Sequence, residues 1–128
     1  MCEVFISADP QSYESRTRSV RLHGVVTSIR LENLFWQVLE EIARRDGMGV
    51  VQLIEKLYDE LVAARGETVS NFASFLRVCA LRYEALLAQG RIPGDTRVAI
   101  GSLDAQAVLR ALPPGWGRPL HGAAAAPA

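Results

Sequence analysis

Residues 25–31 read VVTSIRL and run without a break into LENLFWQVLEEIARRDG, residues 31–47. The first stretch alternates, so Thr27, Ile29 and Leu31 share one face of an extended strand and Val26, Ser28 and Arg30 share the other. The second switches to helical spacing: Leu34, Phe35, Val38, Leu39 and Ile42 recur on one side, and Gly47 supplies a C-terminal stop. A lone strand of about six residues can neither satisfy its backbone hydrogen bonds nor bury its apolar face, so it needs a partner strand. The expected partner is the same strand of a second copy.

Working outward, Ser19 to Leu22 alternates as well, with Val20 and Leu22 on one side and Ser19 and Arg21 on the other, until Gly24 interrupts. This segment is expected to extend the ribbon or to form a short arm beside it. Residues 1–15 show no clear period, although Val4, Phe5 and Ile6 can add a short strand or pack on the body. Downstream, the spacing predicts a helix over Asn33 to Arg45, with Asn33 as its cap and Glu32 well placed for the helix dipole. A second helix is predicted from Val50 to Ala64, its apolar face formed by Val50, Leu53, Ile54, Leu57 and Leu61, with Gly66 beyond its end. Ser70 can cap a third, reaching about Gln89 and keeping Phe72, Phe75, Leu76, Cys79, Tyr83 and Leu86 in register.

From Gly90 onward Gly, Pro and Ala dominate, apart from a weak helical piece at Asp104 to Leu112 that Pro113 and Pro114 end. The closing GAAAAPA is expected to be disordered. The chain thus divides into an N-terminal extension (1–15), a basic arm and strand–helix–helix core (16–64), an additional helix (65–90) and a largely flexible C-terminal tail (91–128). The fold class is mainly α with one short β-strand.

The chain has 128 residues, 49% of them hydrophobic, enough for one small domain with tails. No apolar run of about 18 residues spans a bilayer. The start, MCEVFISADP, lacks the charged region and long apolar run of a secretory signal, so a cytoplasmic location is expected. Net charge is zero, with 14 basic and 14 acidic residues, which argues against polyanion binding over the whole surface. The distribution says more. Between Glu14 and Glu32 there is no acid, while Arg16, Arg18, Arg21, Arg30 and His23 all lie there.

Catalytic chemistry has no foothold. Cys2 and Cys79 have no CxxC or Cys/His spacing, and Cys79 reads as a small apolar residue on a helix face. His23 and His121 lack ligand-spaced partners, and no GxGxxG or GxxxxGK loop is present. Glu40 with Glu41, and Asp59 with Glu60, are neighbours about 100° apart on a helix, which reads as solvated face and not as an acid–base pair. Trp36 reads as core or dimer interface, not as a platform for a base. No metal, cofactor or enzyme activity is expected.

Strand, helix, glycine turn and helix in that order resemble the MetJ/Arc-like ribbon-helix-helix DNA-binding family over residues 19–64. The string RSVRLHGVVTSIRLENLFWQVLEEIARRDGM looks like a bacterial branch that adds a C-terminal helix, here SNFASFLRVCALRYEALL. The resemblance implies a homodimer with an intermolecular two-stranded antiparallel ribbon. Its inner face, Thr27, Ile29 and Leu31, would close over the helices of the dimer together with Phe35, Leu39 and Ile42. Its outer face, Val26, Ser28 and Arg30, would meet base edges of double-stranded DNA, Arg30 as a bidentate partner of guanine and Val26 by apolar contact only. The start of the second helix, Gly49 and Val50, would hold a phosphate through backbone amides, although it lacks the hydroxyl usual there. Arg16, Arg18 and Arg21 would add phosphate contacts. The implied function is a sequence-specific regulator of transcription, a repressor, with dimers able to assemble further on DNA. The competing expectation is a dimeric protein-interaction module or an antitoxin whose C-terminal region covers a protein partner; zero net charge, Gly49, Val50 and Val26 point that way.

Overall fold

In the computed structural model, which describes residues 2–66 and 69–117, the alternating segment finds its partner inside the chain. Strands β1 (Ser15–Leu22) and β2 (Val25–Glu32) pair antiparallel in a two-stranded sheet, with Leu22 opposite Val25, Ser19 opposite Ser28 and Ser15 opposite Glu32. The sequence reading of one strand is therefore corrected to two. The cause is the connection: His23 and Gly24 have φ of 50° and 79°, the backbone of a two-residue turn whose twist matches that of the flanking strands. Gly24 is the turn itself, not an interruption. β2 no longer needs a second copy to satisfy its inner edge.

One face of the hairpin lies on a helical layer. The helices are a short exposed α1 (Cys2–Ile6), α2 (Asn33–Arg45), α3 (Val50–Arg65), α4 (Phe72–Ala88) and a single-turn α5 (Ala105–Val108). Val20, Leu22, Ile29 and Leu31 from the hairpin are buried with Trp36 and Leu39 of α2, Leu53 and Ile54 of α3, and Phe72 and Leu76 of α4. Phe35 and Ile42 pack on this core half-buried, and Thr27 is half-buried on the same face of β2. The core therefore closes within one chain. Trp36 is wholly buried, and its indole Nε1 donates to the Arg16 carbonyl at 2.9 Å, fixing β1 to α2.

Helix starts differ by a residue from the sequence reading. Asn33 is the first helical residue and Glu32 the cap; the Asn33 side chain instead donates to the Gln11 carbonyl at 2.9 Å, while its backbone N–H donates to Glu14 at 2.8 Å. Residues 10–14 are thereby held against α2. Val4, Phe5 and Ile6 do not pack on the body: each is more than two-thirds exposed. Asn71, not Ser70, precedes α4.

The largest departure lies after Gly90. Residues 91–117, expected as part of a flexible tail, pack along α2 and α4. Ile92 is buried with Tyr83 and Leu86, and Ile100, Leu103, Val108 and Leu112 pack against them. Arg45, only 5% exposed, donates to the Val98 and Asp95 carbonyls at 3.0 and 3.1 Å and to the Tyr83 hydroxyl at 3.1 Å. Asp46 accepts from the backbone of Ile100 and Gly101 at 2.6 and 3.0 Å. The Tyr83 hydroxyl donates onward to Glu41 at 2.7 Å, and burial followed by that bond pushes its pKa up. The closing GAAAAPA and His121 lie outside the described residues.

Two measurements check this packing. Trp36→Ala should cost about 3–5 kcal/mol in urea unfolding, since it empties a fully buried site and removes a donor. Arg45→Met should cost about 1–3 kcal/mol by removing the bonds of a buried guanidinium to the Val98 and Asp95 carbonyls and the Tyr83 hydroxyl, and limited proteolysis should then cut within 91–117 before the core.

Candidate nucleic-acid interface

Side chains alternate across a strand, so the hairpin face turned from the helices is set by its register. Thr17, Ser19 and Arg21 of β1 lie there beside Arg30, Ser28 and Val26 of β2, pair by pair. All six are exposed, Val26 by 60%. The three residues expected at base edges, Val26, Ser28 and Arg30, thus do share one outer row, and Arg21 joins them. Among the described residues neither Arg21 nor Arg30 forms an ion pair. No acid interrupts the row until Glu32 at its end.

Glu32 is engaged from behind. Arg77 of α4 donates through Nε to its carboxylate at 2.8 Å, and through Nη2 to the Arg30 carbonyl at 3.5 Å. The Arg77 bond, followed by a local backbone bond, holds the Glu32 carboxyl below the usual range. On the other edge, the Arg21 backbone N–H donates to Glu55 of α3 at 3.1 Å. One helical turn further along α3, Asp59 meets the Nε2 of His23 at 3.1 Å, and the His23 ring sits edge-on to Tyr58 with centroids 5.1 Å apart. The ribbon is therefore pinned at its tip and on both edges.

Arg16 and Arg18 fall on the opposite face. Their guanidinium carbons lie 5.9 and 5.5 Å from the centroid of the Trp36 ring, and Arg16 also reaches Glu40 at 3.3 Å. The structure thus separates them from Arg21, with which the sequence reading had grouped them. At the start of α3, Gly49 is an exposed cap in extended conformation with no side-chain hydrogen bond, and Val50 is buried. Only backbone amides are offered there.

Sequence reasoning missed Thr17, Ser19 and the buttress Arg77. A signal for Ser19 existed: Ser19-Val20-Arg21-Leu22 recurs as Ser28-Ile29-Arg30-Leu31. Arg77 had none, because its role depends on where α4 crosses β2. Chemistry elsewhere is sparse. Burial pushes the Cys79 thiol up to about 11, which makes it a poor nucleophile. Among the described residues no group of three or more His, Cys, Asp or Glu can hold a metal ion, and no helix is long and apolar enough to cross a membrane.

A family profile described as a ribbon-helix-helix domain matches residues 15–84, from β1 into α4. Among solved structures, an uncharacterized protein from Bordetella pertussis Tohama I is similar at 66% identity and a TM-score of 0.90, over 94% of this chain and 97% of that chain. Comparison with curated proteins returns no match.

The lowered Glu32 carboxyl sets a pH dependence. Its pairing with Arg77 stabilises the fold fully above the ordinary glutamate range, and the contribution is lost as pH falls through the lowered folded-state value. Glu32→Gln should be less stable than the parent by on the order of 0.5 kcal/mol at pH 7, as befits a partly exposed pair. Urea unfolding at descending pH should show the two proteins converging in acid.

Proposed function

The chain belongs to the ribbon-helix-helix family, whose members are in general DNA-binding regulators that bind as dimers, and we propose that it is a sequence-specific regulator of transcription, a repressor acting in the cytoplasm without a cofactor. The observation that supports this most is the outer row of the hairpin, exposed, free of acids and carrying hydroxyl and guanidinium groups on a braced backbone. A major groove about 12 Å wide admits a two-stranded ribbon. On this reading Arg30 takes guanine through O6 and N7, Ser28 takes a neighbouring base edge, and Val26 meets a thymine methyl. Arg16 and Arg18, beside the ribbon, and the amides at Gly49 and Val50 take phosphates and set its position.

A homodimer belongs to the proposal. Val78 and Leu81, 58% and 60% exposed on α4, offer a second copy an apolar contact away from the ribbon. The same face supports a second reading, an interaction module for another protein. There α3 and α4 leave an open apolar groove lined by Leu57, Leu61, Phe75, Val78 and Cys79.

Selection of random duplexes by the purified protein at about 150 mM salt, where non-specific binding is weak, separates the two. Enrichment of a defined motif is expected; a folded protein that enriches nothing would favour the interaction module. Arg30→Ala should cost about 1–3 kcal/mol on the selected site and relax one type of base preference. An equal loss on every duplex would assign Arg30 to phosphate instead.

A further inference from the structure

Two apolar surfaces stay uncovered among the described residues. The first is α1, where Val4, Phe5 and Ile6 are 74%, 69% and 77% exposed and no residue is buried. A helix of five residues is too short to hold itself in water, and three consecutive large apolar side chains need a surface to cover them. The second is the groove between α3 and α4, lined by Leu57, Leu61, Phe75, Val78 and Cys79. Scattered apolar residues on a surface are ordinary, whereas contiguous ones mark a contact.

We propose that these two surfaces cover each other between copies: α1 of one protomer lies in the α3–α4 groove of its partner, and the exchange is reciprocal. The inference rests on the homodimer proposed above and supplies its contact. Charge favours the pairing. Residues 1–15 carry Glu3, Asp9 and Glu14 and no lysine or arginine, whereas the rim of the groove carries Arg65 and Arg82 against Glu60. Glu3, next to Val4 in the arm, is the acid that meets this rim. An acidic apolar arm therefore fits a basic-rimmed apolar groove.

Area decides between one such contact and two. At roughly 100 Å² per large apolar side chain, the arm covers about 300 Å² and the groove a like area. A single seated arm then buries about 600 Å², below what a specific interface needs, while two reciprocal arms bury about 1,200 Å², the lower end of the usual range. A two-fold dimer is the closed arrangement that uses both. The attachment of the arm suits this exchange. Asn33 binds the Gln11 carbonyl through its side chain and the Glu14 carbonyl through its backbone N–H, so the arm leaves α2 from a fixed point. From Gln11 back to Phe5 the chain reaches at most about 20 Å.

The test uses the full-length chain. Sedimentation velocity over a dilution series compares the parent with the triple variant Val4→Ser, Phe5→Ser, Ile6→Ser and with Val78→Glu, which sets an acid against the acidic arm; circular dichroism is the control for folding. A benzophenone attached to the exposed Cys2 thiol then maps where the arm lies, since Cys79, half-buried with its thiol pushed up to about 11, reacts slowly. Mixing isotope-labelled with unlabelled chains shows whether each photocrosslink joins two copies. A concentration-dependent dimer is expected for the parent, weakened roughly a hundredfold or more in both variants, with crosslinks from labelled arms to α3 or α4 of unlabelled chains. A dimer that either variant leaves unweakened, or crosslinks confined to single chains, would overturn the arm exchange while leaving the homodimer in place. A parent that stays monomeric at every concentration would overturn the homodimer and the inference together.

Discussion

The hydrogen bond from the Trp36 indole to the Arg16 carbonyl joins the two layers of the molecule. A tryptophan buried completely must satisfy its single N–H, and here the acceptor is strand backbone rather than another side chain. That choice fixes the height of β1 over α2. The register with β2 then places Ile29 and Leu31 in the core and Ser28 and Arg30 on the opposite face. A slip by one residue would bury Arg30 and expose Leu31, so the burial of Trp36 and the identity of the outer row are set together.

The charges follow the same logic. A net charge of zero conceals a division of labour in which acids of the helical layer are spent on holding the hairpin. Glu40 meets Arg16, Glu55 takes the Arg21 backbone N–H and Asp59 meets His23, while the hairpin's own acid, Glu32, is held by Arg77 of α4. Most of these contacts are solvent-exposed and individually weak. Together they restrain the tip and both edges of one ribbon while the guanidinium groups of Arg21 and Arg30 face outward. Overall neutrality thus coexists with a locally basic, preorganised surface.

How much of this was legible in the sequence depended on whether each feature is local. α2, α3 and α4 show themselves because Leu39, Leu53, Ile54 and Leu76 recur at helical spacing, and each of them is buried. β2 shows itself by alternation. β1 was half-hidden, because Arg16 and Arg18 occupy inner-face positions where apolar residues are expected; they lie over the Trp36 ring, which no pattern within the strand announces. The segment after Gly90 was misread for a related reason. Its composition lacks a core, but its partners, Arg45 and Asp46, sit at the end of α2, and the long-range bonds they make are invisible to a local count of Gly, Pro and Ala. Within the outer row, Val26, Ser28 and Arg30 followed from parity, whereas Thr17 and Ser19 required the pairing of His23 and Gly24 as a turn.

Pairing the two strands inside one chain changes what the hairpin depends on. Where a ribbon is shared, folding and dimerisation are one equilibrium, so the reading surface exists only to the extent that protomers have met, and its population falls on dilution. Here Val20, Leu22, Ile29 and Leu31 are buried against helices of their own chain, and the strand backbones pair with each other. The outer row of the hairpin is then positioned by contacts of its own chain.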